Sequence, residues 1–289
     1  MVDDPVLARI VQTVTFSDEV LAVLLTSSRA NPDAPLDRFS DYDIVLVVDD
    51  PAAWLADEGW ISRVGEPLVM FRSGFTVDSV DVATRLVLYR DRTKVDYSIW
   101  PAGLLESIRS RGILPNVLDV GYRVLFDPRG LATDLPPPSF RAHIPAPPDE
   151  TEFLAVVEEF WWESTNAAKN LARDELLPAR YNLDVVMRDL LIRMLVWYVE
   201  TEWDWSWKPG ATGRGLKQQL PGDIWAAVEA TFTGPAISDN WDALFRLAAV
   251  FRRVARDVAD RLGYAYPEAL DRGVMEYLHE VHGRDESRA

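Results

Sequence analysis

Leu21-Ala-Val-Leu-Leu25, then Ser27-Ser28-Arg29, then Asp41-Tyr-Asp43 opening Ile44-Val-Leu-Val-Val48: the reading of this chain turns on these segments. Both apolar runs are short, branched and bounded by polar or turn-forming residues, so each predicts a buried β-strand. The first ends in a hydroxyl-rich turn. The second opens on two acids and is closed by Asp49-Asp50-Pro51. Side chains alternate along a strand, so Asp41 and Asp43 project to the same face. Two carboxylates held that close repel each other unless a cation lies between them.

A third acid strengthens the pattern. Arg85-Leu-Val-Leu-Tyr-Arg90 and Lys94-Val-Asp-Tyr-Ser-Ile-Trp100 flank Asp91-Arg92-Thr93 and read as a hairpin. Asp96 lies inside the second run, although strands deplete aspartate and a buried charge needs a partner. If the hairpin lies beside the first two strands, Asp96 joins Asp41 and Asp43. Three such carboxylates hold one or two Mg²⁺ ions for phosphoryl or nucleotidyl transfer.

Composition narrows the classes. The 289 residues can bury a sizeable core in one or two domains. With no cysteine, disulfides and thiolate metal sites are excluded. Met1-Val-Asp-Asp-Pro5 lacks the basic and apolar regions of a signal peptide. No uncharged apolar run approaches the roughly 20 residues that span a bilayer, so a cytoplasmic protein without a membrane partner is expected. The net charge of −16, from 46 acids against 30 Lys and Arg, argues against nucleic acid. It suits a polycationic small substrate, whose encounter an acidic field accelerates, and it equally suits plain solubility. None of His143, His279 and His282 stands beside a plausible nucleophile, and no Gly-x-Ser-x-Gly or Gly-x-Gly-x-x-Gly occurs. Serine hydrolase and Rossmann dehydrogenase chemistry have no support.

The expected class is α+β. Residues 1–135 read as a mixed β-sheet flanked by helices. Residues 136–149, with Pro136-Pro-Pro138, Pro145 and Pro147-Pro148, read as a stiff linker. Residues 150–289 read as an α-helical bundle. In it a first helix is capped by Thr151 and runs to about Leu177, before Pro178. Further helices cover about Ala179–Glu202, Asp223–Phe232, Asn240–Leu262 with Gly263 as its stop, and Pro267–His282. Gly283 to Ala289 is expected to fray.

These motifs are similar to a known family. Ser28-Arg-Ala-Asn-Pro-Asp-Ala-Pro35 with Phe39-Ser-Asp-Tyr-Asp-Ile44 resembles the signature loop of the aminoglycoside 6-adenylyltransferases, which modify streptomycin and carry a polymerase-β-type nucleotidyltransferase domain. Glu159-Phe-Trp161, Ser164-Thr165, Lys169, Leu171-Ala-Arg-Asp-Glu175, Leu191-Ile-Arg-Met194, Trp197, Gly213-Arg-Gly-Leu-Lys217 and Tyr264-Ala-Tyr-Pro267 continue the resemblance in one order along nearly the whole chain. Two positions depart from it. The family's Gly-Ser turn is Ser27-Ser28 here, and an acid on the second C-terminal helix gives way to Tyr181-Asn182, with Asp184 nearby.

The resemblance implies Mg²⁺-dependent transfer of AMP from ATP to an aminoglycoside hydroxyl such as one of streptomycin, with release of pyrophosphate, the chemistry of antibiotic resistance. Asp41 and Asp43 would bridge two metal ions, and Asp96 would bind the ion at the acceptor hydroxyl and serve as general base. Ser27, Ser28 and Arg29 would hold the nucleotide phosphates, with Lys169, Arg173, Arg214 and Lys217 from the helical half. Lys169 and Arg173 equally suit a solvated helix face. Gly210-Ala-Thr-Gly213, before Arg214 and Lys217, fails P-loop spacing. Glu163 and Asp184 are candidates to meet substrate amines, and Glu200 is a further acid of that kind. Trp162 and Trp205, among 11 tryptophans, suit cation–π contact with a cationic sugar, although large aromatics are mostly packing. A monomer or small homo-oligomer is expected. Two other readings stay open: a transferase with another acceptor, and a catalytically silent protein that binds nucleotide or aminoglycoside.

Overall fold

The computed structural model describes residues 4–286. The chain divides into two compact units, with the boundary between His143 and Ile144.

The first unit is built on one sheet. Helix α1 (Pro5–Val14) opens it, with Pro5 in its first turn and the Asp4 carboxylate accepting from the Val6 and Leu7 N–H groups. Strands β1 (Val20–Thr26) and β2 (Tyr42–Val48) follow, then α2 (Pro51–Ala56), α3 (Gly59–Val64), β3 (Pro67–Val77), β4 (Val80–Tyr89) and β5 (Lys94–Pro101). Helices α4 (Ala102–Arg111) and α5 (Asn116–Asp119) lead to β6 (Tyr122–Phe126). The strand order is β3-β4-β5-β2-β1-β6, with β2 and β5 parallel and every other pair antiparallel. The parallel pair needs a long crossover, and α2 through β4 supply it.

The expected strands at 21–25 and 44–48 lie in β1 and β2, and every residue of β1 is buried. The expected hairpin is β4–β5. Its turn closes through the Tyr89 N–H to the Thr93 carbonyl at 2.8 Å, with Arg92 at φ 73°. Alternation sorts the sheet into two faces. Ile44, Leu46, Tyr97 and Ile99 pack with α1, α2 and α3, whereas Val45, Val47 and Trp100 pack with α4 and α5. Part of the proline-rich segment belongs to this unit. Tyr122 Oη donates to the Pro136 carbonyl at 3.0 Å, and the Ser139 N–H donates to Asp119 at 2.7 Å.

The second unit is helical. Helix α6 (Glu150–Leu171) is capped by Asp149, whose carboxylate accepts from the Glu152 N–H at 2.8 Å. Thr151, the expected cap, therefore lies inside the first turn. The helix ends at Leu171, earlier than expected, in a turn with Asp174 at φ 59°. Pro178 sits in the first turn of α7 (Leu176–Tyr181), where a missing N–H breaks no helical bond. A π-turn (Asn182–Val186) joins α7 to α8 (Met187–Glu200). Then come α9 (Leu216–Gln219), α10 (Gly222–Glu229), α11 (Ile237–Leu262) and α12 (Glu268–Glu286). Gly263 stops α11 in the left-handed conformation, as expected. α12 passes Gly283, and the rest of the expected frayed end, 287–289, lies outside the described residues.

This unit packs around Phe160, Trp161, Met194 and Phe251. Asp271, 2% exposed, grips Arg252 through two hydrogen bonds and accepts from Tyr266 Oη, which in turn accepts from Trp161 Nε1. No helix among the described residues is long and apolar enough to cross a membrane.

Candidate active site

Strand register brings two of the acids face to face. Asp43 on β2 lies opposite Asp96 on β5, and Thr26 on β1 lies opposite Asp43. The row continues through Leu86 on β4 and Phe71 on β3. By alternation it lies on the face that carries Val45 and Trp100, beyond the part that α4 and α5 cover.

The electrostatics of this row are strained. Burial first, and then the charge of Asp96, push the Asp43 carboxyl up to about 6, against a hydrogen bond from Ser27. Burial also raises Asp96, with Lys94 opposing, and Asp96 Oδ1 is buried without a hydrogen-bond partner. Lys94 precedes Asp96 by two residues on β5 and so shares its face. Its Nζ lies 2.6 Å from Asp41 Oδ2 and 3.9 Å from Asp96 Oδ2. That contact with Asp41 is the main cause that raises the lysine's own pKa.

As the side chains stand, no group of three or more His, Asp or Glu among the described residues forms a metal cage. Asp41 is turned to the ammonium. The donor set nonetheless fits a hard divalent cation: carboxylate oxygens only, one of them buried and unmatched, in a cluster whose repulsion a doubly charged ion relieves.

The serine turn borders this row. Residues Ser27–Ala30 form a 3₁₀ turn, entered by Ser27 at φ 63°. A residue with a Cβ pays for that conformation in sterics, which is why glycine suits the position. The Ser27 N–H donates to the Gly121 carbonyl at 3.1 Å. Gly121 sits at φ 128°, and a Cβ there would come within 3.2 Å of the Ala30 carbonyl and the Asn31 nitrogen.

Arg29 is engaged by the loop rather than left open. Its Nε donates to the Asp41 carbonyl at 3.0 Å and its Nη2 to the Ser40 carbonyl at 2.9 Å. The guanidinium lies 3.8 Å from the centre of the Tyr42 ring. Tyr42 Oη donates to Asp4 at 2.9 Å, so the capping acid of α1 also anchors the acid-bearing segment.

The remaining candidates lie in the helical unit. Asn182 donates to Glu163 Oε2 at 2.7 Å, while Asn166 approaches Oε1 at 3.4 Å and accepts from Lys169 Nζ at 2.9 Å. Asn182 thus supports a carboxylate on the neighbouring helix. Asp184 is paired with Arg180 at 2.6 Å and faces Arg188 at 3.7 Å. Arg173 and Trp162 are exposed. Trp205 packs against the core, Arg214 is exposed, and Lys217 reaches Glu229 at 3.4 Å over the Trp225 ring. Glu200 is fully buried and accepts from the Trp207 N–H at 3.3 Å, fastening the tryptophan-rich loop.

Sequence reading gave no role to Lys94 or Gly121. Lys94 was marked by its spacing of two from Asp96. Gly121 carried no local signal, because its constraint is a contact with a distant turn.

The family profile described as streptomycin adenylyltransferase matches residues 3–281. An aminoglycoside 6-adenylyltransferase of Bacillus subtilis is 26% identical over 269 residues, covering 92% of each chain. One of Campylobacter jejuni is 26% identical over 268 residues, 89% of this chain and 87% of its own. A crystal structure titled an aminoglycoside 6-adenyltransferase from Bacillus subtilis aligns over 96% of this chain and 97% of its own, at 22% identity and a TM-score of 0.48. With a match that runs almost from end to end, the chain belongs to the streptomycin adenylyltransferase family of nucleotidyltransferases.

Proposed function

We propose that this protein transfers AMP from ATP to a hydroxyl of an aminoglycoside, with streptomycin as acceptor, and so confers resistance in the cytoplasm. The observation that carries the reading is the enclosed, like-charged Asp43–Asp96 pair in parallel register beside the serine turn. A fold keeps such a destabilising pair where a cation and a phosphate are to be met.

Asp43 and Asp96, with Asp41 released from Lys94, would hold Mg²⁺. When bound, the metal neutralises phosphate charge and lowers the barrier to attack at phosphorus. The Ser28 hydroxyl and the N–H groups of residues 28–30 hold the triphosphate, while Ser27 steadies Asp43. Arg29 fixes the loop that carries Asp41. Asp96 takes the proton from the acceptor hydroxyl. The oxygen then attacks the α-phosphorus, the α–β anhydride bond breaks, and pyrophosphate departs. Lys94, freed from Asp41, remains beside the phosphates as a counter-charge. The fit of Ser27 favours catalysis over a silent binder, because its hydroxyl is part of the acid network rather than an obstruction in the turn.

The test is pyrophosphate release with Mg-ATP and streptomycin, with Asp41→Asn as control. A product heavier by one AMP, absent in the variant, is expected. ATP binding without product would move the acceptor elsewhere. No ATP binding would leave a silent protein as the better account.

A further inference from the structure

The third acid of the row is already engaged. Asp41 stands one register step before the Tyr42–Val95 and Asp43–Asp96 pairs, and there it meets Lys94. The ammonium lies 2.6 Å from Asp41 Oδ2 and 3.9 Å from Asp96 Oδ2, so it bridges two of the three carboxylates. The backbone on both sides is fixed. Lys94 lies opposite Leu88 on β4, and Arg29 holds the Ser40 and Asp41 carbonyls. Only side-chain torsions separate this arrangement from one in which Asp41 turns to Asp43 and Asp96. Lys94 also lines a cavity of about 380 Å³ together with Arg29, Arg38 and Arg92. Asp91 on the same rim is paired with Arg9. The ammonium thus stands at the border between a cluster of acids and a cluster of guanidinium groups.

We propose that Lys94 is a placeholder cation: it holds Asp41 away from the metal site until a nucleotide brings phosphate oxygens to receive the ammonium, and so couples divalent-ion binding to nucleotide binding. The proposal rests on the function given above and adds what governs the occupancy of its site. Lys94 suits the task because its ammonium is a point charge on a flexible stem. It can exchange one anion for another without the fixed fork that a guanidinium imposes.

Charge sets the coupling. In the absence of ligands the ammonium relieves part of the repulsion among Asp41, Asp43 and Asp96. A divalent ion that binds alone has to take Asp41 from Lys94. It then faces an unpaired ammonium a few Å away, whose repulsion costs it roughly tenfold in affinity even at the dielectric of an exposed site. With a triphosphate present, Lys94 trades the carboxylate for phosphate oxygens and that cost disappears. The guanidinium groups around the cavity make the second position unfavourable for Lys94 unless an anion lies among them. By linkage, whatever the nucleotide adds to ion affinity the ion adds to nucleotide affinity.

The test is calorimetric binding of Mn²⁺ alone, and of ATP at saturating Mn²⁺, to wild type, Lys94→Met, Lys94→Arg and Arg92→Met. Lys94→Met is expected to bind Mn²⁺ alone roughly tenfold more tightly and ATP several-fold more weakly, two shifts of opposite sign. Lys94→Arg keeps the charge and should keep the wild-type Mn²⁺ constant. Arg92→Met removes a cation from the same cavity without touching Asp41, and should leave the Mn²⁺ constant within about twofold. Lys94→Met that leaves Mn²⁺ binding unmoved, or that weakens both ligands as a damaged fold would, overturns the proposal alone. Arg92→Met or Lys94→Arg that tightens Mn²⁺ as far as Lys94→Met also overturns it, because the contact with Asp41 and its charge would then not be the cause. Wild-type protein that binds no Mn²⁺ even with ATP present refutes the metal site of the proposed function and the placeholder together.

Discussion

Replacing Asp43 by asparagine removes one of two like charges in an enclosed row, and the metal-free protein should become more stable as a result. The Asp43 carboxyl ionises at about 6 in the folded protein, against 3.8 for the free side chain. Two pKa units at about 1.4 kcal/mol each amount to a penalty of about 3 kcal/mol. Its pH window follows from the sign. The unfolded chain loses the proton near pH 4 and the folded protein near pH 6, so stability falls across that interval and the penalty is complete above it. Asparagine keeps the shape and the Ser27 hydrogen bond but carries no charge. In EDTA at pH 7.5, Asp43→Asn should melt about 5–10 °C above wild type, with the gap shrinking toward zero near pH 4. Added Mg²⁺ should then raise the wild-type melting temperature by mass action and leave the variant nearly unmoved. A variant that melts at or below wild type in EDTA at pH 7.5 would refute the like-charge reasoning, as would a gap equally large at pH 4.

Three further outcomes are expected. Gly121→Ala places a Cβ within 3.2 Å of the Ala30–Asn31 backbone at φ 128°, so it should cost about 1–3 kcal/mol in chemical denaturation and weaken ATP binding; unchanged values in both would separate Gly121 from the serine turn. Asp271→Ala strands a largely enclosed Arg252 and frees Tyr266, and should lower unfolding stability by about 3–5 kcal/mol, partly recovered when Arg252→Met is added. With a net charge of −16, kcat/KM for a polycationic acceptor should fall steadily with ionic strength, and a flat profile would exclude electrostatic steering.

The central strands were legible because their apolar runs are continuous and clearly bounded. Asp41, Asp43 and Asp96 were legible because acids are costly in such places. Strand β3 was not, since Leu68-Val-Met-Phe-Arg-Ser-Gly-Phe lacks clean alternation and Val69 and Phe71 stay exposed at the sheet edge. The cap of α6 was displaced by two residues because Thr151 and Asp149 both suit the position, and only backbone geometry chooses between them. Pro178 read as a stop when it begins a helix, an ambiguity that proline always carries. The Lys94–Asp41 contact depends on inter-strand register, which no local pattern encodes. Arg29 read as a phosphate ligand because its neighbourhood suggested one. Its bonds to the Ser40 and Asp41 carbonyls became visible only with the loop closed around it.

The parallel pairing of β2 with β5 also sets a timetable. Asp43 and Asp96 meet only after residues 49–93 have formed α2, α3, β3 and β4 and returned the chain to β2. Among the strand pairings only β1 with β6 joins segments farther apart in sequence, and such long-range contacts form slowly. A nascent chain that has not yet extended past β5 holds Asp43 without its rival charge. The repulsion therefore arises only when β5 docks on β2, a long-range step in which acid pH or a divalent ion should speed refolding.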